Sequence, residues 1–137
     1  EGYVLTSYAA TLATADRARV VAGSAAASEL VRRIRGSARP RMPLDGPPYL
    51  SEAEVALISR WIDAGAPDAA GTPASRPSGA RVRLHGTLQP DGRLDELPLR
   101  SPAQARADRG AGAGAYVEVR GRVGDDGAVI VERIRPR

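Results

Sequence analysis

The chain has 137 residues, with 20 arginines and no lysine against 16 acidic residues, one histidine and no cysteine. This length holds one ordinary domain or two small ones, and the lack of thiols excludes a disulfide, a zinc–thiolate site and a covalent haem built from these residues alone. No apolar run approaches the roughly 20 residues that cross a bilayer, so the sequence excludes a membrane-spanning helix.

The positive charge is concentrated in the second half. Residues 71–137 carry twelve arginines and eight acids, whereas residues 1–70 carry eight of each. A basic module can seek an acidic protein surface, anionic lipid or nucleic acid. Arginine-only usage with abundant alanine, glycine and proline is also typical of a G+C-rich genome, and no aromatics alternate with the arginines as in single-strand binders. We therefore expect no nucleic-acid partner.

Helical periodicity begins near the first residues. Leu5, Tyr8 and Leu12 repeat at helical spacing, and Thr6 or Ser7 precedes the repeat as a possible cap, which predicts a short first helix. A second helix is predicted from about Ala26 to Ile34 and ends at Gly36. It buries Leu30, Val31 and Ile34 and turns three arginines to water: Arg32, Arg33 and Arg35.

The third predicted helix has the clearest signals. Ser51 and Glu54 have the Ser-x-x-Glu spacing of a capping box, which places the helix start after Leu50. One apolar face follows, and Gly65 ends the helix before Pro67. The apolar face consists of Val55, Ile58, Trp61 and Ile62.

A glycine-, proline- and serine-containing stretch at residues 69–80 predicts a linker, after which the hydrophobic period changes to two. Residues 82–94 resemble residues 117–129, and each copy reads as a strand, an Asp-Gly turn and a second strand. The segment 101–115 between the copies is predicted to be a mobile loop with a short helical piece. We expect a small OB-like or SH3-like barrel over residues 81–137.

The loop before the third helix is rich in proline. Arg41-Met42-Pro43 and Gly46-Pro47-Pro48 stiffen it, and a thioether presented rigidly at Met42 suits haem iron. The alternative is that Met42 fills a gap in the core. We expect the loop to form an interaction surface through Pro43, Pro47, Pro48 and Tyr49.

Several segments of the first 67 residues resemble the planctomycete-type cytochrome c domain. The matching segments are Ser28-Glu29-Leu30-Val31-Arg32-Arg33-Ile34, Arg41-Met42-Pro43-Leu44, and Leu50-Ser51 through Ala66. The resemblance implies a small all-α cytochrome-c-like domain over residues 1–68, with Met42 as axial ligand of a haem c. Together with the predicted barrel, this gives an α+β chain: a helical domain at 1–68, a linker at 69–80 and a β domain at 81–137.

The sequence departs from that family at the haem-attachment motif. The Cys-x-x-Cys-His of the family is expected just before Glu1, where this sequence begins, and the sole histidine, His85, falls on a predicted strand in the β domain. A start at Glu1 instead of methionine leads us to expect that an upstream segment such as a signal peptide was removed. No cofactor is therefore expected within this chain, and haem c only if an attachment motif lies upstream.

These features favour a haem-less, non-enzymatic accessory or scaffold subunit of a respiratory or photosynthetic membrane electron-transfer complex. It would lie in the periplasm or cell envelope, peripheral to the membrane, and dock beside a haem-bearing subunit such as a c-type cytochrome. The alternative is that the chain is part of a mono-haem electron carrier with Met42 as axial ligand. A third interpretation is a free-standing module that binds an acidic surface through its basic β domain.

Overall fold

A computed structural model describes residue 3 and residues 5–137. Within these described residues, three short helices precede five strands, and the helical content is 17%. The elements are α1 (Tyr8–Thr11), α2 (Glu29–Arg35), α3 (Glu52–Asp63), β1 (Arg81–Thr87), β2 (Leu99–Arg100), β3 (Arg106–Ala107), β4 (Tyr116–Val123) and β5 (Val129–Pro136).

The expected all-α cytochrome-c-like domain is wrong, because most of the described part of the first half is irregular. Between α1 and α2 the backbone is held by side chains instead of a helical ladder. The N–H of Val21 donates to Oγ of Ser28 at 2.8 Å, and the N–H of Ala25 donates to Oδ1 of Asp63 at 2.8 Å. The segment between α2 and α3 contains prolines that cannot donate in a helix: Pro40, Pro43, Pro47 and Pro48.

The predicted helix ends are confirmed where a cap or a glycine specifies them. Ser7 caps α1 by accepting from the N–H of Ala10. Gly36 ends α2 in the left-handed region, at φ 93°. Ser51 and Glu54 form the complete capping box of α3.

The strands form one open, curled sheet in the order β1-β4-β5-β2, with β3 also paired to β5. β1 and β5 are antiparallel to β4, whereas β2 and β3 are parallel to β5. The expected OB-like or SH3-like barrel is wrong: β2 and β3 have two residues each, and the sheet remains a half-barrel. The predicted hairpin at Asp126-Gly127 is confirmed as β4–β5, while the first repeat copy makes only isolated bridges after β1. The segment 101–115 holds β3 instead of a helical piece.

Both halves of the chain contribute to one apolar core. Ala18, Val21 and Ala27 are buried against the inner face of the sheet, which includes Leu84 and Val119. A second cluster lies between the helices and consists of Val20, Ala25, Val31 and Ile62. α2 packs on both α3 and β1, whereas α3 contacts none of the described strands. The division into domains at residues 69–80 stays a prediction.

Candidate functional site

The predicted interaction loop projects between α2 and α3. Met42 is half-buried, and its N–H donates to the carbonyl oxygen of Arg33 at 3.0 Å, which anchors the loop to α2. The guanidinium carbon of Arg41 lies 4.3 Å from the ring centroid of Tyr49, and this ring is 37% exposed. Gly46 lies against the same ring so closely that a Cβ at that position would collide with it. The aromatic ring is therefore fixed in place while it remains open to solvent.

A groove of about 440 Å³ lies beside this loop at the start of α3. Leu50 and Val55 give it apolar walls, while Arg41 gives it a positive charge. The remaining lining residues are Arg35, Glu52 and Ala56. Pro43 is half-buried, whereas Pro47, Pro48 and Leu44 are exposed, Leu44 by 69%. The predicted interaction residues thus lie on one loop, next to a groove that has both charged and apolar lining residues.

The edge of β1 that does not pair with β4 is covered by α2. The sequence did not predict this contact. Nε of Arg32 donates to the carbonyl oxygen of His85 at 2.8 Å, and the N–H of His85 donates to Oε1 of Glu29 at 3.1 Å. Arg32 also pairs with Asp95 and is 1% exposed, so its expected position in water is wrong. A guanidinium finds several acceptors here that local periodicity does not reveal.

The ring of His85 bridges α2 and β4. Its Nδ1 lies 2.6 Å from Oε2 of Glu29, and its Nε2 lies 3.3 Å from Oε2 of Glu118. The ring also stacks on Tyr116 at a centroid distance of 6.5 Å. A doubly protonated imidazole donates at both contacts, whereas a neutral ring donates at one.

Glu118 is buried at the centre of this network, with 1% of its surface exposed. Nε of Arg120 donates to its Oε1 at 2.7 Å, and Nη2 of Arg137 donates to its Oε2 at 2.9 Å. Burial alone would raise the pKa of this carboxyl, but the hydrogen bonds and charges of the two arginines lower the pKa to about 2. The two arginines therefore favour the charged form of this carboxylate.

The residues present do not fit a haem site. Met42 and His85 are the only methionine and histidine of the chain, and both ring nitrogens of His85 already face carboxylates. These carboxylates approach different nitrogens and do not converge on one point. Within the described residues, no group of three or more histidine, cysteine, aspartate or glutamate side chains is arranged to hold a metal ion. Met42 therefore has no second ligand for a haem iron among the described residues.

The outward side of the sheet carries much of the positive charge that the sequence concentrates in residues 71–137. Arginines alternate with inward-facing residues along the three long strands, as in Arg81-x-Arg83 and Arg120-x-Arg122. The sequence predicted strands of period two and a basic β domain, but it did not predict that the arginines of three strands lie side by side. We call this surface the arginine face; it consists of Arg81, Arg83, Arg120, Arg122, Arg133 and Arg135.

None of the helices in the described part of the chain has the length and apolar character needed to cross a membrane. Comparison with known proteins adds no further constraint on the site: no model of a protein family, no curated protein and no solved structure matches this chain.

Proposed function

We propose that this chain is a non-catalytic accessory subunit that docks onto a partner protein through the loop of residues 39–50 and the groove beside it. The observation that carries the proposal is the exposed ring of Tyr49, held between Arg41 and Gly46. Tyrosine and arginine are the residue types that dominate the binding energy of protein interfaces. A loop stiffened by proline also loses less entropy when it binds.

A non-catalytic role is supported by the state of the single histidine. A general base needs a nitrogen directed toward a substrate, whereas both nitrogens of His85 contact carboxylates, of Glu29 on α2 and of Glu118 on β4. Glu29 and Glu118 are themselves occupied by arginines: Arg33 for the first, Arg120 and Arg137 for the second. This cluster supports a structural role in joining the two halves.

The class of partner in this proposal comes from the sequence resemblance alone. A haem-bearing subunit of an envelope electron-transfer complex, respiratory or photosynthetic, is the partner that a cytochrome-derived sequence would accompany. The chain would then lie at the membrane periphery. The location, the partner and the electron-transfer setting are all parts of the proposal.

The test is affinity purification of the tagged full-length protein from the envelope fraction of its own cells, followed by mass spectrometry and haem staining of the recovered subunits. We expect one predominant, haem-bearing partner. Leu44→Ala and Tyr49→Ala should reduce its recovery about tenfold or more, as removal of an interface hot spot does. Leu57→Ala is the matched control, because Leu57 is 62% exposed on α3 outside the loop.

Two outcomes would contradict the docking proposal: recovery of the protein as a lone monomer, or equal loss of partner in the Leu44→Ala and Leu57→Ala variants. Optical absorption of the same preparation tests the haem-less part. A Soret band that belongs to the chain itself, and that shifts in a Met42→Leu variant, would favour the mono-haem carrier instead.

A further inference from the structure

Like charges face each other across the strands of the arginine face. Arg81 is paired directly with Arg122, and Arg83 with Arg120, along the β1–β4 ladder. Arg120 is also paired with Arg133 across the β4–β5 ladder. Directly opposed like charges destabilise a sheet. A row of such pairs therefore destabilises the folded sheet. An anionic ligand that neutralises these arginines would remove the repulsion.

The acids near this face neutralise only part of it. Among the described residues, four carboxylates lie on or beside the face, and each is bound to one or two arginines: Glu118 to Arg120 and Arg137, Asp108 to Arg133 and Arg135, Glu132 to Arg122, and Asp16 to Arg19. The side chains of Arg81 and Arg83 have no acidic partner among the described residues. Arg81 is exposed and Arg83 is half-buried, so both guanidinium groups remain available to a ligand.

A cleft of about 230 Å³ opens at these two arginines. Its floor is the outward side of β1 and β4, and its wall is the segment before Ala18, whose N–H donates to the carbonyl oxygen of Arg81 at 2.7 Å. The cleft is lined by Arg17, Arg81, Arg83 and Arg120 together with Asp16, Val82, Gly121 and Glu132. The guanidinium groups of Arg81 and Arg83, which no described carboxylate pairs, thus border a concave site large enough for an acidic side chain.

We propose that this cleft and the surrounding arginine face bind an acidic polypeptide segment, rich in aspartate and glutamate, of a partner protein. Guanidinium groups bind carboxylates in a bidentate geometry, which suits such a segment. Asp16 and Glu132 also line the cleft, and each is already paired with an arginine, Asp16 with Arg19 and Glu132 with Arg122. None of the described residues that line the cleft is aromatic, as stacking of bases would need, and none has a large apolar side chain for insertion into lipid.

This surface goes beyond the proposed function, because none of its lining residues belongs to the loop of residues 39–50. The two proposals can therefore be tested separately, because a variant that has lost docking at Tyr49 should still bind an acidic segment at Arg83. Together they would make the chain a bridge between two polypeptides.

The experiment measures fluorescence anisotropy of a labelled peptide of alternating aspartate and glutamate, titrated with the full chain at low and physiological salt. We expect saturable one-to-one binding that weakens as salt rises. Arg83→Glu should weaken binding about tenfold or more, since one charge-assisted contact becomes a repulsion. Arg60→Glu makes the same change of charge on exposed α3 and should leave the affinity within about twofold, because α3 contacts no described strand.

Arg83→Glu should also unfold at a temperature equal to or above that of the wild-type chain, because it relieves the opposition between Arg83 and Arg120. Arg81→Gln is a second variant that removes a charge without adding one, and it should weaken binding as well. Equal affinities of the Arg83→Glu and Arg60→Glu variants would overturn the proposal. So would tighter binding of oligouridylate RNA, or of phosphatidylserine vesicles, than of the acidic peptide at the same salt.

Discussion

Nδ1 of His85 lies 2.6 Å from Oε2 of Glu29, while the backbone N–H of the same histidine donates to Oε1 of that glutamate at 3.1 Å. One carboxylate thus holds both the side chain and the backbone of an edge residue. Because an uncovered strand edge invites pairing with other chains, this contact and that of Arg32 protect β1. The charged residues of α2 therefore cover the edge of the sheet at β1.

The buried guanidinium of Arg32 should be the most sensitive point of this interface. Arg32→Ala leaves Asp95 and the carbonyl oxygen of His85 without their partner, so we expect a loss of about 3 kcal/mol in the free energy of unfolding. Arg33→Ala is the control: this neighbouring arginine is more exposed, and its removal should cost about 1 kcal/mol or less. Urea denaturation measures both. Equal losses would contradict the buried position of Arg32.

Gly86 gives the same interface a second test. A Cβ at this position would collide with Nη2 of Arg32 and Oδ2 of Asp95, so Gly86→Ala should separate the ion pair and cost about 1–3 kcal/mol. Gly112 has no atom within 4 Å of its hypothetical Cβ, and Gly112→Ala should be neutral or slightly stabilising. Thermal unfolding of the two variants side by side checks the contrast, and an unaffected Gly86→Ala protein would refute the close approach of α2 to β1.

The depressed pKa of Glu118 predicts how stability depends on pH. The folded protein lowers this pKa from 4.5 to about 2, so it binds fewer protons than the unfolded chain between these values. The stabilisation by the carboxylate is fully present above about pH 4.5 and is lost as the pH falls toward about 2. The difference in unfolding free energy between wild type and Glu118→Gln should therefore be constant near neutrality and shrink in acid.

Acid-induced unfolding monitored by circular dichroism at several urea concentrations would supply that difference. Glu132→Gln serves as the comparison, because Glu132 is exposed on the same face and its removal should cost less at neutral pH. A difference between wild type and Glu118→Gln that persists unchanged at pH 2 would show that the carboxylate is not held in its charged form.

Local signals predicted the parts of this fold that depend on near neighbours. Ser51 and Glu54 are three residues apart, and their capping box marks the start of α3 as expected. The Asp126-Gly127 turn joins β4 and β5, since a glycine at φ 85° fits the turn that such a hairpin needs. The predicted interaction residues also lie on one loop, as their proximity in the sequence requires.

Distant partners decided the parts that the sequence did not predict. The helical period predicts that Arg32 lies on the exposed side of α2. Instead, Arg32 is buried by its contacts with Asp95, 63 residues further on, and with the edge of β1. The segment before α2 contains enough small apolar residues for a helix, but Ser28 and Asp63 satisfy its backbone instead. Side-chain acceptors that compete with the helical ladder in this way are invisible to hydrophobic periodicity.

The start of α3 positions the groove that the proposed function uses, so its cap has consequences for both stability and docking. Ser51→Ala removes the Oγ that accepts from the N–H of Glu54 at 3.1 Å, and it should lower the unfolding free energy by about 1 kcal/mol. Ser101→Ala, at an exposed serine outside any helix, should change it by less than about 0.5 kcal/mol. Because Glu52, Val55 and Ala56 line the groove from the first turns of α3, fraying of that turn in Ser51→Ala should also weaken partner recovery in the affinity purification. An unfolding loss without any loss of partner would place the docking surface elsewhere on the molecule.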